Sequence, residues 1–311
     1  MKPAGLHLVM ISVGTDGDIF PYASLGAVLR QRGHLVTLAA SEIYEPLARR
    51  HGLAFRPLLS AEENHELFGH PDFWNPRKTA FLSARWGRKF IPRQYELLSS
   101  LTTPSTVLVA NPGVFAAGLV HEKLGAPWAN LMLQPGIIPS SVAPPVMPGL
   151  RFLSAAPRPV WKLFWRALDW LGDTLVGGEL NRFRHSLGLK PTRRLFQNWL
   201  SRQLVIGMFP DWYAAPPGDW PPQMRLVGFP VVDGGLNDEL SPDLKSFCAA
   251  GEAPLAFTFG TGMAHPAALF QAAIEACEIL GRRGILLTKH RDQLPGKLPD
   301  SIRETRRHGR S

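Results

Sequence analysis

Asp18 is the side chain whose type and spacing point most directly to chemistry. It follows the apolar run Leu6 to Val13 and the turn Gly14-Thr15-Asp16-Gly17. A carboxylate there can cap the free N–H groups of a helix start, the role that cap preferences favour. It can also serve as a general base at the carboxyl end of a strand, where open α/β sheets place their ligands. Asp16 is the weaker candidate and reads as a solvated turn residue. Gly14 and Gly17 allow a ligand or a facing domain to approach the main chain. Pro21 supplies the preset φ of a first helical turn.

Other reactive groups are less well spaced. In HELFGH, His65 and His70 are five apart, whereas a zinc-binding helix needs its histidines four apart to share a face, so no metal is expected. Cys248 and Cys277 lack metal or redox spacing and read as free thiols of a reducing compartment. Lys and Arg number 34 against 25 acids, a net charge of +9. That excess raises nucleic acid, anionic membrane and phosphate-bearing ligands as partners. It is spread out, though, and densest at Arg303, Arg306, Arg307 and Arg310. Without a basic stripe interleaved with aromatics, nucleic acid is set aside. The apolar stretch after Lys2 is broken by Gly14, Asp16 and Asp18, so it reads as a buried strand, not a signal sequence. No uncharged run is long enough to span a bilayer. The expected location is cytoplasmic, with peripheral contact at the inner membrane face left open.

The elements that must position Asp18 follow from periodicity. Leu6 to Val13 has the continuous apolar character of a strand buried on both faces of a parallel sheet. A helix follows to Gly33, then strands at Leu35 to Ala40 and Leu53 to Leu58 with a helix between them. Ser60 to Pro76 reads as an irregular loop, and a helix runs from about Lys78 to Ser100. Strands are expected at Thr106 to Ala110 and Pro127 to Leu133, with a helix at Val114 to Leu124 between them. Alternation of this kind implies a right-handed, doubly wound parallel sheet. Gln134 to Pro159, rich in proline and poor in charge, reads as a pocket-shaping loop.

The most amphipathic helix is expected from Val160 to about Val176. Lys162, Arg166, Asp169 and Asp173 form one polar stripe, with Trp161, Phe164, Trp165, Leu168 and Leu171 on much of the remainder. Its bland reading is a core-packing helix. The alternative is an apolar wall for a lipid-like acceptor or a membrane surface, and the mixed charge of the stripe argues against strong anionic-lipid binding. Strands at Gln203 to Phe209 and Arg225 to Gly228 end the first domain, placed at 1–230. The stretch 231–253 reads as a linker. From 254 the opening pattern returns as strand, Gly260-Thr261-Gly262 turn, helix and strand. Beyond Thr288 no further periodic element is expected, so this part reads as one βαβ unit and a tail, with both sheet faces largely uncovered.

At VGTDGDIFP with LGAVLRQRGHLVTLAA, and again at HEKLGAPWANLMLQPG, LFQNWL, FPDWYAAPPGDWP and VGFPVVDG, the chain resembles the family-1 nucleotide-sugar glycosyltransferases. Within them it is similar to bacterial rhamnosyltransferases that glycosylate a hydroxy-fatty-acid lipid from a dTDP-sugar. The resemblance implies an α/β, GT-B type fold, with a Rossmann-like acceptor-binding domain followed by an incomplete Rossmann-like donor domain. It also implies an inverting transfer from a UDP- or dTDP-sugar to a hydroxyl of a hydrophobic acceptor, with Asp18 as base and no cofactor. Donor contacts are expected at Gly14, Thr15, Gly17, Gly260 and Thr261, and acceptor contacts at Gln134, Pro135, Trp161 and Trp165. The family's later donor signature, His with paired glycines and then Asp-Gln, is absent, so the chain reads as truncated near Thr288 to Arg307. Three rivals stay open: a non-catalytic acceptor-binding fragment, a nicotinamide oxidoreductase and a membrane-surface module. The second lacks the third glycine of GxGxxG, with Glu42 the only nearby acid for a ribose.

Overall fold

A computed structural model describes residues 5–70, 73, 78–146, 151–230, 240–260, 267–288 and 291–305. The chain divides into two compact units, Met1–Gly14 with Asp18–Val232, and Thr15–Gly17 with Asp233–Ser311. The first opens with β1 (His7–Ile11), α1 (Asp16–Gln31), β2 (Leu35–Ser41), α2 (Glu45–Arg50) and β3 (Ala54–Leu59). It continues through α3 (Ala61–Gly69), α4 (Thr79–Leu101), β4 (Thr106–Ala110), α5 (Ala116–Leu124) and β5 (Trp128–Met132). Then come α6 (Arg158–Gly172), α7 (Gly178–Ser186), α8 (Leu195–Asn198), β6 (Leu204–Gly207) and β7 (Met224–Leu226).

The seven strands form one parallel sheet in the order β3-β2-β1-β4-β5-β6-β7. The order reverses at β1, whose Ile11 pairs with Ala39 on one side and Ala110 on the other. The α/β, doubly wound expectation therefore stands. Its cause is visible in β1. Val9 and Ile11 join one core with Trp86, Phe90 and Leu98 of α4 and Val120 of α5. Leu8 and Met10 join the other with Ile19 and Tyr22 of α1 and Ala48 of α2. Alternate side chains point to opposite faces, so a strand between two helical layers must be apolar at every position.

Three local expectations are corrected. Ser60 to Pro76 is not wholly irregular, since α3 starts on a capping box. Ser60 Oγ accepts from the Glu63 N–H at 3.1 Å, and Glu63 Oε2 accepts from the Ser60 N–H at 3.1 Å. The Ser-x-x-Glu spacing carried that signal. In the second unit, the stretch read as a linker contains α9 (Pro242–Ala249), with Ser241 Oγ accepting from the Leu244 N–H at 3.3 Å. The supposed tail contains a strand. After β8 (Leu255–Thr258), α10 (Ala267–Ile279) and β9 (Gly284–Leu287), β10 (Ile302–Thr305) pairs in parallel with β9. Both faces of this sheet are covered, because Ile285 packs with Leu244 and Phe247 of α9, while Leu286 packs with Phe270 and Ile274 of α10.

Asn130 ties the sheet to the chain entering β6. Its Nδ2 donates to the Ala110 carbonyl at 3.2 Å, and its Oδ1 accepts from the buried Ser201 N–H at 2.6 Å. Asn130→Ala strands both partners without water, so unfolding in urea should show a loss of about 2 kcal/mol or more.

Candidate functional site

Asp18 lies where the sheet order reverses, the position at which open α/β sheets form their ligand crevice. It is the third residue of α1, so it is a first-turn residue and not the N-cap. Pro21 likewise falls at the sixth position, past the first turn, where its missing N–H removes the bond to the Gly17 carbonyl. Asp16, the first helical residue, is only 6% exposed. The helix begins three residues earlier than the Asp18 cap reading required, and Asp16 is drawn out of solvent.

The approach of Asp18 to β1 is close enough to dictate a residue type. A Cβ at Gly14, where φ is +156°, would collide with Oδ2, Cβ and Cγ of Asp18. Gly17 is different, for a Cβ there meets open space. Below Asp18 runs a buried network that sequence reasoning missed. Ser12 Oγ donates to the Asp18 carbonyl at 3.0 Å. Asn111, just past β4, donates its Nδ2 to Ser12 Oγ at 3.2 Å and to the Val13 carbonyl at 2.7 Å. The Val13 carbonyl fixes the amide orientation, leaving Asn111 Oδ1 buried with no hydrogen-bond partner among the described residues. The available signal is a polar residue directly following the apolar strand Thr106 to Ala110.

One helical turn beyond Asp18, Tyr22 is fully buried and its hydroxyl donates to the Leu131 carbonyl at 3.0 Å. Burial pushes the Tyr22 hydroxyl up, and the negative charge of Asp18 adds to the effect, so Tyr22 stays a donor. Tyr22 therefore binds α1 to β5 on the side of the helix that Asp18 shares.

The acceptor candidates divide. Gln134 is exposed and Pro135 begins a short turn directly after β5. In the order β1-β4-β5 that edge lies two strands from β1, roughly 10 Å away. Trp165 is half-buried, its Nε1 donates to the Ser140 carbonyl at 2.9 Å, and it lines a cavity of about 350 Å³ with Lys162, Arg166, Arg194 and Asp219. Trp161 does not fit a pocket wall. It is 1% exposed and its indole N–H is taken by the Leu153 carbonyl at 3.1 Å, because the inner face of α6 passes through it. Gly260 has a φ of +86° and open space around its Cα, and Thr261 lies outside the described residues. Among the described residues no group of His, Cys, Asp or Glu could hold a metal ion.

Comparison with known proteins gives a consistent result. Residues 8–137 match the glycosyltransferase family 28 N-terminal domain. The UDP-sugar-dependent glycosyltransferase 52 of Dictyostelium discoideum is 26% identical over 309 residues, covering 92% of this chain and 17% of its own length. Sterol 3-beta-glucosyltransferase UGT80A2 of Arabidopsis thaliana is 26% identical over 305 residues, covering 90% of this chain and 45% of its own. The chain thus spans less than half the length of either. The solved glycosyltransferase SsfS6 of Streptomyces sp. SF2575, complexed with thymidine diphosphate, superposes with a TM-score of 0.57 at 19% identity. That superposition covers 97% of this chain and 72% of the other. The fold is shared with GT-B glycosyltransferases.

Two measurements check the local physics. Gly14→Ala must displace Asp18 or β1, and thermal unfolding should show a loss of about 1–3 kcal/mol. Asp219 anchors the loop after β5. Burial alone would raise its carboxyl, but bonds from Ser140 Oγ at 2.7 Å, the Ser141 N–H at 2.7 Å and Ser141 Oγ at 2.9 Å outweigh that and hold it below the ordinary carboxylate value. A lowered carboxyl stabilises the fold above its unfolded pKa, and this contribution is lost as pH falls through the folded value. Asp219→Asn should therefore be less stable at neutral pH and lose less stability than the parent below about pH 4.

Proposed function

We propose that this chain, whose residues 8–137 form a glycosyltransferase family 28 N-terminal domain, takes part in transfer of a hexose from a nucleoside-diphosphate sugar to a hydroxyl of a hydrophobic acceptor. The observation that carries this reading is the placement of Asp18. It stands in the first turn of α1 at the reversal of strand order, pressed against a glycine that leaves it room.

In the reaction the acceptor oxygen attacks the anomeric carbon as the bond to the nucleoside diphosphate breaks, inverting that centre. Asp18 receives the proton of the hydroxyl. A carboxylate is far too weak a base to strip an alcohol in advance, so proton transfer accompanies bond formation. The chain's own residues supply orientation. Ser12, held by Asn111, bonds the backbone of Asp18, and Tyr22 binds the same helix to β5. We assign donor contacts to the turn at Gly14, Thr15 and Gly17 and, as a separate expectation for the second unit, to Gly260 and Thr261. The open space at Gly17 leaves main-chain N–H groups approachable by phosphate oxygens.

The names of the relatives support the classes of substrate, a UDP-sugar for one and a sterol for another, while the thymidine diphosphate of the solved neighbour supports a dTDP-sugar equally. We infer that the acceptor is lipid-like, with Gln134, Pro135 and Trp165 nearest its path.

The deciding assay incubates the full chain with UDP- and dTDP-sugars and sterol or hydroxy-lipid acceptors, reading nucleoside-diphosphate release. Asp18→Asn should cut turnover by about a hundredfold to ten-thousandfold while leaving donor affinity unchanged. Undiminished turnover in the variant would remove Asp18 from the base role. Acceptor binding without any turnover in the parent would reduce the chain's own role to holding the acceptor.

A further inference from the structure

The polar residues of α6 converge on the cavity of about 350 Å³ that Trp165 lines, where Lys162, Arg166 and Asp169 join Arg194 and Asp219. Asp169 is the buried member, 3% exposed. Its Oδ1 accepts from the Gln197 N–H at 3.2 Å, whereas its Oδ2 takes no hydrogen bond among the described residues and stands 3.8 Å from Arg194 Nε. Burial raises its carboxyl, which the Gln197 bond and the Arg194 charge only partly offset. Arg194 is itself strained, the one described residue other than glycine with a left-handed φ, +57°. Strain of this kind persists only where the surroundings hold it, and it gathers at ligand sites. Here the holder is Asp173, which accepts from the Arg194 N–H at 2.8 Å and the Leu195 N–H at 3.1 Å. Asp173 also opens a π turn, Asp173–Gly177, another feature found mostly at functional sites.

The cavity carries both signs of charge. Lys162 and Arg166 are exposed and have no ion-pair partner among the described residues. Asp219, also exposed, is fixed by Ser140 and Ser141. A simple anion in this space meets two carboxylates, and a simple cation meets three bases. A neutral polyol meets neither penalty. Each hydroxyl both donates and accepts, so a ring bearing several of them needs fixed donors and fixed acceptors side by side. Lys162, Arg166 and Arg194 are the donors, and Asp169 and Asp219 the acceptors. Trp165 adds an apolar surface. Its Nε1 is spent on the Ser140 carbonyl at 2.9 Å, so the indole offers a ligand only its ring. The volume of about 350 Å³ lies at the small end of ligand pockets, enough for one ring and not for a chain.

We propose that this cavity binds a neutral pyranoside, with the C–H face of the sugar on Trp165 and its hydroxyls shared between the basic and the acidic side chains. A hydroxyl donated to Asp169 Oδ2 gives that buried acceptor the bond it lacks, and a hydroxyl oxygen gives Lys162 and Arg166 an acceptor. The binding stands apart from Asp18 and from hexose transfer. One consequence does rest on the glycosyl-transfer reading: with Trp165 on the acceptor path, the acceptor is a hydrophobic molecule that already carries a sugar.

Titration of the full chain with the methyl pyranosides of glucose, mannose and galactose, read by tryptophan fluorescence and saturation-transfer NMR, provides the test. At least one should bind saturably, and added salt should change its affinity by less than about twofold, because a neutral ligand brings no charge to screen. Lys162→Met and Arg166→Met, at exposed positions, should each weaken binding by about threefold to tenfold without shifting the thermal melt. Trp165→Ala should abolish it, and Trp165→Phe, which keeps a ring, should retain most of it. Should Trp165→Ala fail to fold, the Lys162 and Arg166 variants decide. Arg182→Ala on α7, outside the cavity, should change nothing. The proposal is overturned if no pyranoside binds saturably, if glycerol binds as well as the sugars, or if Lys162→Met and Arg166→Met bind like the parent. It is also overturned if inorganic phosphate displaces the pyranoside and salt then releases the phosphate, which would make the cavity an anion site. Turnover is not read in any of these arms, so loss of this proposal leaves the Asp18 assay standing, and the reverse holds as well.

Discussion

The contact between Asp18 and Gly14 is the constraint on which the site depends. A carboxylate packed over a strand end leaves no volume for a Cβ, so the turn residue and the acid act as one unit. The unit holds its position because the helix behind it is secured three times: Ser12 bonds the Asp18 carbonyl, Asn111 bonds Ser12, and Tyr22 bonds β5. The Asn111 and Tyr22 bonds are buried, where losing a partner costs more than making the bond gained. A reactive group is thereby positioned by parts of three strands, with β1 and β4 adjacent at the reversal and β5 one further along.

The same logic, in which buried polar groups must be satisfied, shapes the region after β5. Asp219 gathers Ser140 and Ser141, and Asp169 and Asp173 gather the backbone of Arg194 to Gln197. These carboxylates organise loops that lack enough apolar surface to order themselves. A consequence is that α6 has two apolar sides, one in the core through Trp161 and one facing outward through Leu163 and Trp170.

Much of the fold was legible because it rests on local signals. Continuous apolar strands, glycine-ended helices and their alternation specify a doubly wound sheet before any contact is known. The errors came where a weak signal was outranked by composition. Ser60 and Glu63 sat in a polar stretch, so their capping box was passed over. Ser241 and Pro242 sat in a stretch dense in Gly and Asp, so α9 was taken for linker. Ile302 stood alone among charged neighbours, yet an edge strand with one buried position needs little more.

The sequence by itself determined the α/β alternation, the glycine turn and the presence of an acid just after it, since each follows from neighbours within a few residues. Only the tertiary structure decided that Asp18 faces Gly14, that Asn111 and Ser12 support it, and that α6 turns Asp169 and Trp161 inward and Trp170 out. The last two depend in part on groups that meet across long stretches of chain, Asn111 with Ser12 and Asp169 with Gln197, where a buried carboxylate takes whatever N–H groups the packing offers. Periodicity gives the angle of a side chain about its helix, but the partner waiting at that angle is fixed only by the fold.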